Sequence, residues 1–422
     1  MPVVQNRSLL LVLSVVVGVG LVIFRPWDKS SAESEEEKST NKETVTLAEK
    51  GQCANRINRE TLDESLRLGT EFLLQHQKEE GNFDYEYNWV EKTYTPGDSQ
   101  VRQAGAAWGL ALIYQDSPNE KIGQAIERAL GFFEKHSRRS EDGRRYIVYP
   151  GEQKGSLGTV ALVALTLIDY LRGAEDSLDA EKLSHYQNHL KEYIAFLRSA
   201  VRDDKRFHKL YSIEDGSPSG PSSPYFDGES LLALVKAARY MGYDELKPFI
   251  FEAADAGYKM NNKRARKKDP DSKITKGYFQ WSSMAYYELT TSGWPDCEKY
   301  GKWLIDLAVW MIDTHETLTR TRNTGYAYEG IIPAYEVARL RKENAYVNKF
   351  GCVIEKSLEK LTTWQVGHSM ANSSIQEKGP PDSKAIGGVQ NHRSEPQLRI
   401  DVAQHQMHAV ILARRFYFTK SE

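Results

Sequence analysis

Cysteine is scarce in this chain. Cys53, Cys297 and Cys352 are its three cysteines in 422 residues, too few for a disulfide-dense scaffold, and their spacing matches no zinc motif. They allow one bridge with a thiol left over in an oxidising compartment. A dominant charge is missing as well. The 56 Lys and Arg against 58 Asp and Glu leave a formal charge of −2, which argues against a chain built to coat nucleic acid. The glycine-rich phosphate loop ending in Lys-Ser/Thr, the Gly-x-Gly-x-x-Gly turn after a strand, the Gly-x-Ser-x-Gly elbow and the His-Glu-x-x-His pair are all absent, and no cofactor is expected. Clear period-two strand alternation is lacking too. What remains, 40% hydrophobic and 27% charged, is a globular composition with enough apolar residues for a sizeable core.

Leu9 to Phe24 is an uncharged run with Arg7 before it and Arg25 and Lys29 after it. It falls slightly short of the ~20 residues that span a bilayer, and Trp27 extends it into the interface. Residues 1–27 are therefore expected to form a single-pass membrane anchor, with the rest of the chain facing the periplasm or the extracellular space. A cleavable signal peptide is the rival reading, with Ser30-Ser31-Ala32 as its small-residue candidate. Residues 28–55, rich in Ser, Glu and Lys, are expected to form a flexible stalk.

From residue 56 to 422 one pattern repeats. Apolar residues at helical spacing predict twelve helices near 60–77, 100–115, 119–136, 156–171, 181–200, 228–241, 245–260, 279–291, 296–314, 327–341, 346–363 and 401–416. Short connections follow the even-numbered helices and long ones the odd-numbered. Even helices are apolar nearly all round, as in GTVALVALTLIDYL (158–171), whereas odd ones are amphipathic, as in AEKLSHYQNHLKEYIAFLRS (180–199). The first kind is buried and the second lies outside. Six inner and six outer helices in strict alternation predict an all-α domain, an (α/α)6 toroid in which each hairpin buries its apolar face against its neighbours. An open solenoid is the alternative.

This alternation resembles the α/α-toroid enzymes, especially the six-hairpin glycosidase-like superfamily, over residues 60–416 and as architecture alone. That group includes glycoside hydrolases, polysaccharide lyases and the helical domain of glucuronyl epimerases, so the resemblance implies glycan processing at the mouth of the ring. Gln75-His76-Gln77 followed by Gly81-Asn82-Phe83 also resembles the isoprenoid toroids. Their Asp-x-Asp-Asp motif is absent here, Asp203-Asp204 being the only paired aspartates.

All long connections run from an outer to an inner helix and so gather on one face, where the inner helices begin and their free N–H groups point. Residues in these loops and first turns are the candidates for substrate binding: Asp84, Tyr85, Tyr87, Arg102, Gln103, Tyr149, Tyr225, Asp227, Glu229, Gln280, Trp281, Tyr326, Arg393 and Arg399. Aromatic platforms with carboxylate, amide and guanidinium partners suit sugars, which have apolar faces rimmed by hydroxyls. Each aromatic taken singly can equally be a residue packing the inner ring. The 259–276 segment, with Arg264, Arg266, Lys267 and Lys268 among its cations, predicts a positive loop that attracts an acidic glycan.

For the chemistry, the candidates are Glu329, Asp401, His405 and Tyr328. Read as an inverting hydrolase, Glu329 is the acid, its pKa raised by apolar surroundings, and Asp401 the base, kept ionised by Arg399 and His405. Read as a uronate lyase or epimerase, Tyr328 or His405 moves the C5 proton while Arg102 or Arg399 neutralises the carboxylate. The plain alternative is that both carboxylates cap helices. His405 and His408 share a helical face but lack an evident third metal ligand. The expected partners are a polysaccharide or oligosaccharide, and the membrane through the N-terminal helix, with no nucleic acid. Two other functions fit the same outline: a non-catalytic glycan-binding or assembly subunit of an envelope polysaccharide system, and an isoprenoid-toroid-like enzyme.

Overall fold

The computed structural model describes residue 53 and residues 56–392 and 394–419. The anchor expected over 1–27, the stalk over 28–55 apart from Cys53, and Arg393 lie outside the described residues. Among the described residues no helix is long and apolar enough to cross a membrane.

All twelve expected helices are present: α1 Arg59–Gln75, α2 Gln100–Asp116, α3 Glu120–Lys135, α4 Leu157–Gly173, α5 Ala180–Ser199, α6 Pro224–Tyr240, α7 Lys247–Gly257, α8 Lys273–Thr290, α9 Glu298–Asp313, α10 Gly325–Leu340, α11 Asn344–Thr362 and α12 Ile400–Phe416. The even helices form a closed inner ring in which α2 packs on α4, then α6, α8, α10 and α12, and α12 returns to α2. Each carries one outer helix on its back, α3 on α2, α5 on α4 and so on, with α1 against α12. The chain is thus a closed toroid of six hairpins, as the alternation of apolar and amphipathic helices predicts.

Burial follows that alternation. Every residue of α4 from Leu157 to Leu171 is buried, whereas α5 buries only Tyr186, Leu190, Tyr193, Ile194, Phe196 and Leu197. The inner ring therefore carries most of the hydrophobic stabilisation, and truncating one of its leucines to alanine should cost about 2–5 kcal/mol. Where the ring closes, Gly109 of α2 lies under Gln404 of α12, and a Cβ at Gly109 would stand 2.5 Å from the Gln404 Cγ. The helices can touch there only because that side chain is missing.

The long connections contain short strands that period-two patterning does not reveal, because two or three residues hold no alternation to read. Strand β1 (Glu86–Asn88) pairs antiparallel with β2 (Thr93–Tyr94) and with β8 (Gln397–Arg399), in the register Glu86↔Arg399. The first and last long connections are thereby sewn together across the closure. Strands β3 (Ser137–Arg139) and β4 (Arg145–Ile147) form a hairpin, while β5 (Lys154–Ser156), β6 (Leu210–Ser212) and β7 (Pro218–Ser219) link the next two connections. Cys53 is bonded to Cys352 of α11, with Cα atoms 5.0 Å apart, and Cys297 is buried and free.

One expected loop is not a loop. After α7 the chain runs on through a wide π-type turn, Tyr258–Arg264, into Ala265–Lys268. Tyr258, Asn261 and Asn262 are buried along this stretch, so tertiary packing keeps helical a segment whose charge suggests a loop. Arg266 pairs with Asp306 of α9 at 2.7 Å. Arg264, Arg266, Lys267 and Lys268 do not line the central cavity, so the positive loop expected at the mouth is not formed by them.

Candidate functional site

Outer helices α1, α3 and α5 begin with Asn58, Asn119 and Asp179 accepting from their first-turn N–H groups. Five of the six inner helices, all but α8, have no side-chain cap. Their positive ends meet at the face carrying the long connections, around a cavity of about 980 Å³, at the upper end of the ~300–1,000 Å³ of ligand pockets. Arg102, Tyr225, Glu229, Gln280, Trp281, Tyr326, Arg399, Asp401 and His405 line it, as expected from their positions.

The floor is organised around Glu329. This carboxylate has no exposed surface and receives three hydrogen bonds. Gln280 Nε2 donates to Oε2 at 2.6 Å, His405 Nδ1 lies 2.9 Å from the same oxygen, and His408 Nδ1 lies 2.7 Å from Oε1. The expectation that apolar surroundings raise its pKa is not met. Burial alone would raise it, but the charge and hydrogen bonds of His405 and His408 outweigh burial and hold it below the usual glutamate value. With Nδ1 committed to Glu329, His405 keeps Nε2 for the cavity, and no protein hydrogen bond is made there among the described residues. Trp281 packs edge-on against His405, with ring centroids 6.2 Å apart.

Glu229 sits on another wall with the opposite character. It is 2% exposed, and its Oε2 has no hydrogen-bond partner among the described residues. It fits because position 158 is glycine, where a Cβ would stand 2.2 Å from that oxygen. Burial pushes its pKa up to about 8, so at neutral pH it carries a proton. Its neighbour two residues back, Asp227, turns away from the cavity. Asp227 accepts from the Phe207 N–H at 3.0 Å and from Asn261 Nδ2 at 2.8 Å, and burial pushes its pKa up to about 6.

Asp401 is ionised as expected. Burial opposes this, but the Arg399 hydrogen bonds and the charges of Arg399, Arg102 and His405 hold its pKa down. Arg399 grips both of its oxygens and Arg102 Nε stands 3.1 Å from Oδ2. The lone pairs that a base would use are thus engaged. Asp401 instead fixes two guanidiniums at the rim, helped by Tyr85, whose hydroxyl accepts from Arg102 Nη1 at 2.8 Å. Neither Glu329 nor Asp401 caps its helix.

Several candidates are structural. Tyr328 is 1% exposed and faces Thr324 and Ser357, between α10 and α11, so it does not reach the cavity to move a proton. Tyr87 of β1 donates to Asp382 in the last long connection, Tyr149 donates to Asp98, and Gln103 brackets the backbone of Phe83. Asp84 pairs with Lys78. The remaining lining includes Lys273, Lys276, Arg320, Arg322, Asn323 and Gln404. Arg320, Arg322, Asn323 and Gln404 are not among the candidates read from the sequence, although Arg320, Arg322 and Asn323 stand just before an inner helix. Arg320 pairs with Asp271 and Arg322 with Glu395. Lys273 has no ion pair among the described residues, and Lys276 stands 4.5 Å from the Tyr326 ring centroid. The cavity is positively charged.

No protein-family model matches the chain, and no curated protein matches it in sequence. Solved structures match it in shape. A D-mannose isomerase superposes with a TM-score of 0.59 at 12% identity, over 84% of this chain and 97% of its own. A cellobiose 2-epimerase from Spirochaeta thermophila gives 0.57 at 16%, over 83% and 96%. An unsaturated glucuronyl hydrolase specific for heparin gives 0.55 at 11%, over 85% and 98%. At these identities the likeness is one of fold. This chain has the α/α-toroid architecture of six-hairpin glycosidase-like enzymes.

Proposed function

We propose that this chain is a glycan-processing enzyme in which His405 and Glu229 act as a base and acid pair on an anionic sugar. The observation that carries the reading is the pairing of opposite protonation states in one cavity. His405 is oriented by a buried, ionised Glu329, while Glu229 is buried, unpartnered and protonated at neutral pH. A purely binding subunit has no use for a carboxyl group held in so costly a state. A cavity rimmed by Arg102, Arg399, Lys273 and Lys276 also suits an isoprenoid poorly. The fold neighbours include a mannose isomerase, a cellobiose epimerase and a glucuronyl hydrolase, which supports a carbohydrate substrate.

In this reading Arg102 and Arg399 neutralise a uronate carboxylate, which acidifies the adjacent C–H bond. His405 Nε2 takes that proton and Glu229 supplies one to the departing or enolic oxygen. Hydrolysis remains the second reading, because a protonated Glu229 is also what a glycosidic oxygen needs, with His405 activating water. Three readouts on a panel of acidic and neutral oligosaccharides separate the chemistries. Absorbance of an unsaturated uronate marks elimination, exchange of the C5 proton in heavy water marks epimerisation, and new reducing ends mark hydrolysis. If no glycan is turned over, or if His405→Ala turns over as well as the parent, the proposal fails.

We place the toroid outside the cytoplasm, anchored through the 9–24 run. The Cys53–Cys352 bridge supports an oxidising compartment. Protease added to intact spheroplasts should digest the domain; full protection would reverse this.

A further inference from the structure

On the outer ring, away from the cavity, polar side chains of α3 and α5 reach each other. Glu127 and Glu134 of α3 stand seven residues apart, opposite Lys182 and His189 of α5, also seven apart. The two carboxylates are treated differently. Glu127 is bridged through both oxygens by Lys182, at 3.0 Å each. Glu134 pairs with no lysine or arginine among the described residues. It faces His185 and His189 instead, one helical turn apart, with His185 Nε2 3.1 Å from Oε2 and His189 Nε2 3.7 Å from Oε1. The imidazole centroids are 4.3 Å apart, and one donor atom from each of the three residues lies within 4.8 Å of the others.

We propose that Glu134, His185 and His189 form a binding site for a divalent transition metal of the zinc class, which staples α3 to α5. The donor set, two imidazole nitrogens and a carboxylate oxygen, is one that zinc takes readily while keeping a fourth position for water. Two ligands each ~2.1 Å from a tetrahedral ion stand about 3.4 Å apart, and the 3.1 and 3.7 Å separations bracket that spacing. The donor atoms lie within 4.8 Å of one another, so the side chains would rotate inward to coordinate an ion. The nearby cations do not oppose an ion strongly, because Arg139 and Arg145 are both bound to Glu192, at 2.5 and 2.7 Å. A shared metal would join the outer helices of neighbouring hairpins, which otherwise meet through exposed ion pairs that contribute little.

The test uses the full chain, purified without a polyhistidine tag, stripped with chelator and titrated calorimetrically with zinc. One ion per chain should bind with micromolar affinity or better, and its thermal midpoint should rise. Cobalt should give the visible absorption of a tetrahedral or five-coordinate site. The double variant His185→Gln/His189→Gln should bind zinc at least 100-fold more weakly and lose the thermal shift. Should that variant not fold, Glu134→Gln carries the same comparison, with a loss of tenfold or more. Absence of stoichiometric binding overturns the proposal. So does binding that survives these substitutions, since the ion would then lie elsewhere, for instance at His405 and His408.

Discussion

Two walls of the cavity carry a buried glutamate each, and the two behave in opposite ways. Glu229 on α6 and Glu329 on α10 are 2% and 0% exposed, so loss of water penalises both charges. Glu329 overcomes the penalty because two imidazoles and an amide converge on it, and it stays ionised. Glu229 lies against Gly158 instead, and its Oε2 has no hydrogen-bond partner among the described residues to offset the desolvation. Burial thus sets a default that partners either confirm or reverse. The same ring holds a protonated carboxyl group on one wall and an ionised carboxylate with two imidazole partners on the other.

The largest test of this contrast is Glu229→Gln. Turnover should fall about 10²–10⁴-fold while the fold becomes more stable. The folded pKa of about 8 lies above the ordinary 4.5. The stability linked to its proton is therefore fully present below 4.5, lost as pH rises, and gone by about 8, at ~1.4 kcal/mol per pH unit. The variant's gain in thermal midpoint should accordingly be small at pH 5 and largest near pH 8. A gain independent of pH would mean that Glu229 is ionised in the parent, and the contrast would collapse.

Glu329→Gln probes the other wall. It should lower kcat by about 10²-fold or more, because His405 loses its orienting carboxylate. The pH dependence of stability runs the opposite way. A depressed folded pKa contributes stability above 4.5 that is lost as pH falls through the folded value. Glu329→Gln should therefore remove part of the parent's acid sensitivity, seen in acid-unfolding midpoints. An unchanged acid transition together with unchanged kcat would make the cluster packing alone.

Smaller effects are expected at the rim. Neutralising Lys273 and Lys276 to Gln should raise KM for an acidic glycan about three- to tenfold at low salt and hardly at high salt, since exposed charges act through a screened field. An equal effect on neutral glycans would count against an anionic substrate. Smallest of all is Tyr328→Phe, which removes one buried hydroxyl. It should cost about 1 kcal/mol of stability and leave kcat unchanged; a collapse of turnover would return Tyr328 to the chemistry.

Helix order, ring closure and the face bearing the site were legible in the sequence, because each rests on local periodicity or on the lengths of connections. The rotation of the inner helices was not. Asp227 and Glu229 are two residues apart, as are Tyr326 and Tyr328, and two residues on a helix point about 200° apart. In each pair one side chain lines the cavity and the other packs behind it. A helix apolar all round shows no polar stripe from which to read that phase. Residues four apart kept company, as Asp401 and His405 do in the lining, since that spacing returns to one face.

The sequence by itself determined that six apolar and six amphipathic helices alternate and that the inner ones begin beneath long polar connections. Those are properties of neighbouring residues. Only the tertiary structure decided which charges meet. Glu329 finds His405 and His408 across separations of 76 and 79 residues, and Cys53 finds Cys352 across 299. It also decided that Glu229 finds no one. A carboxyl group's protonation depends on what the packed ring brings within a few ångströms of it, and no local pattern encodes that.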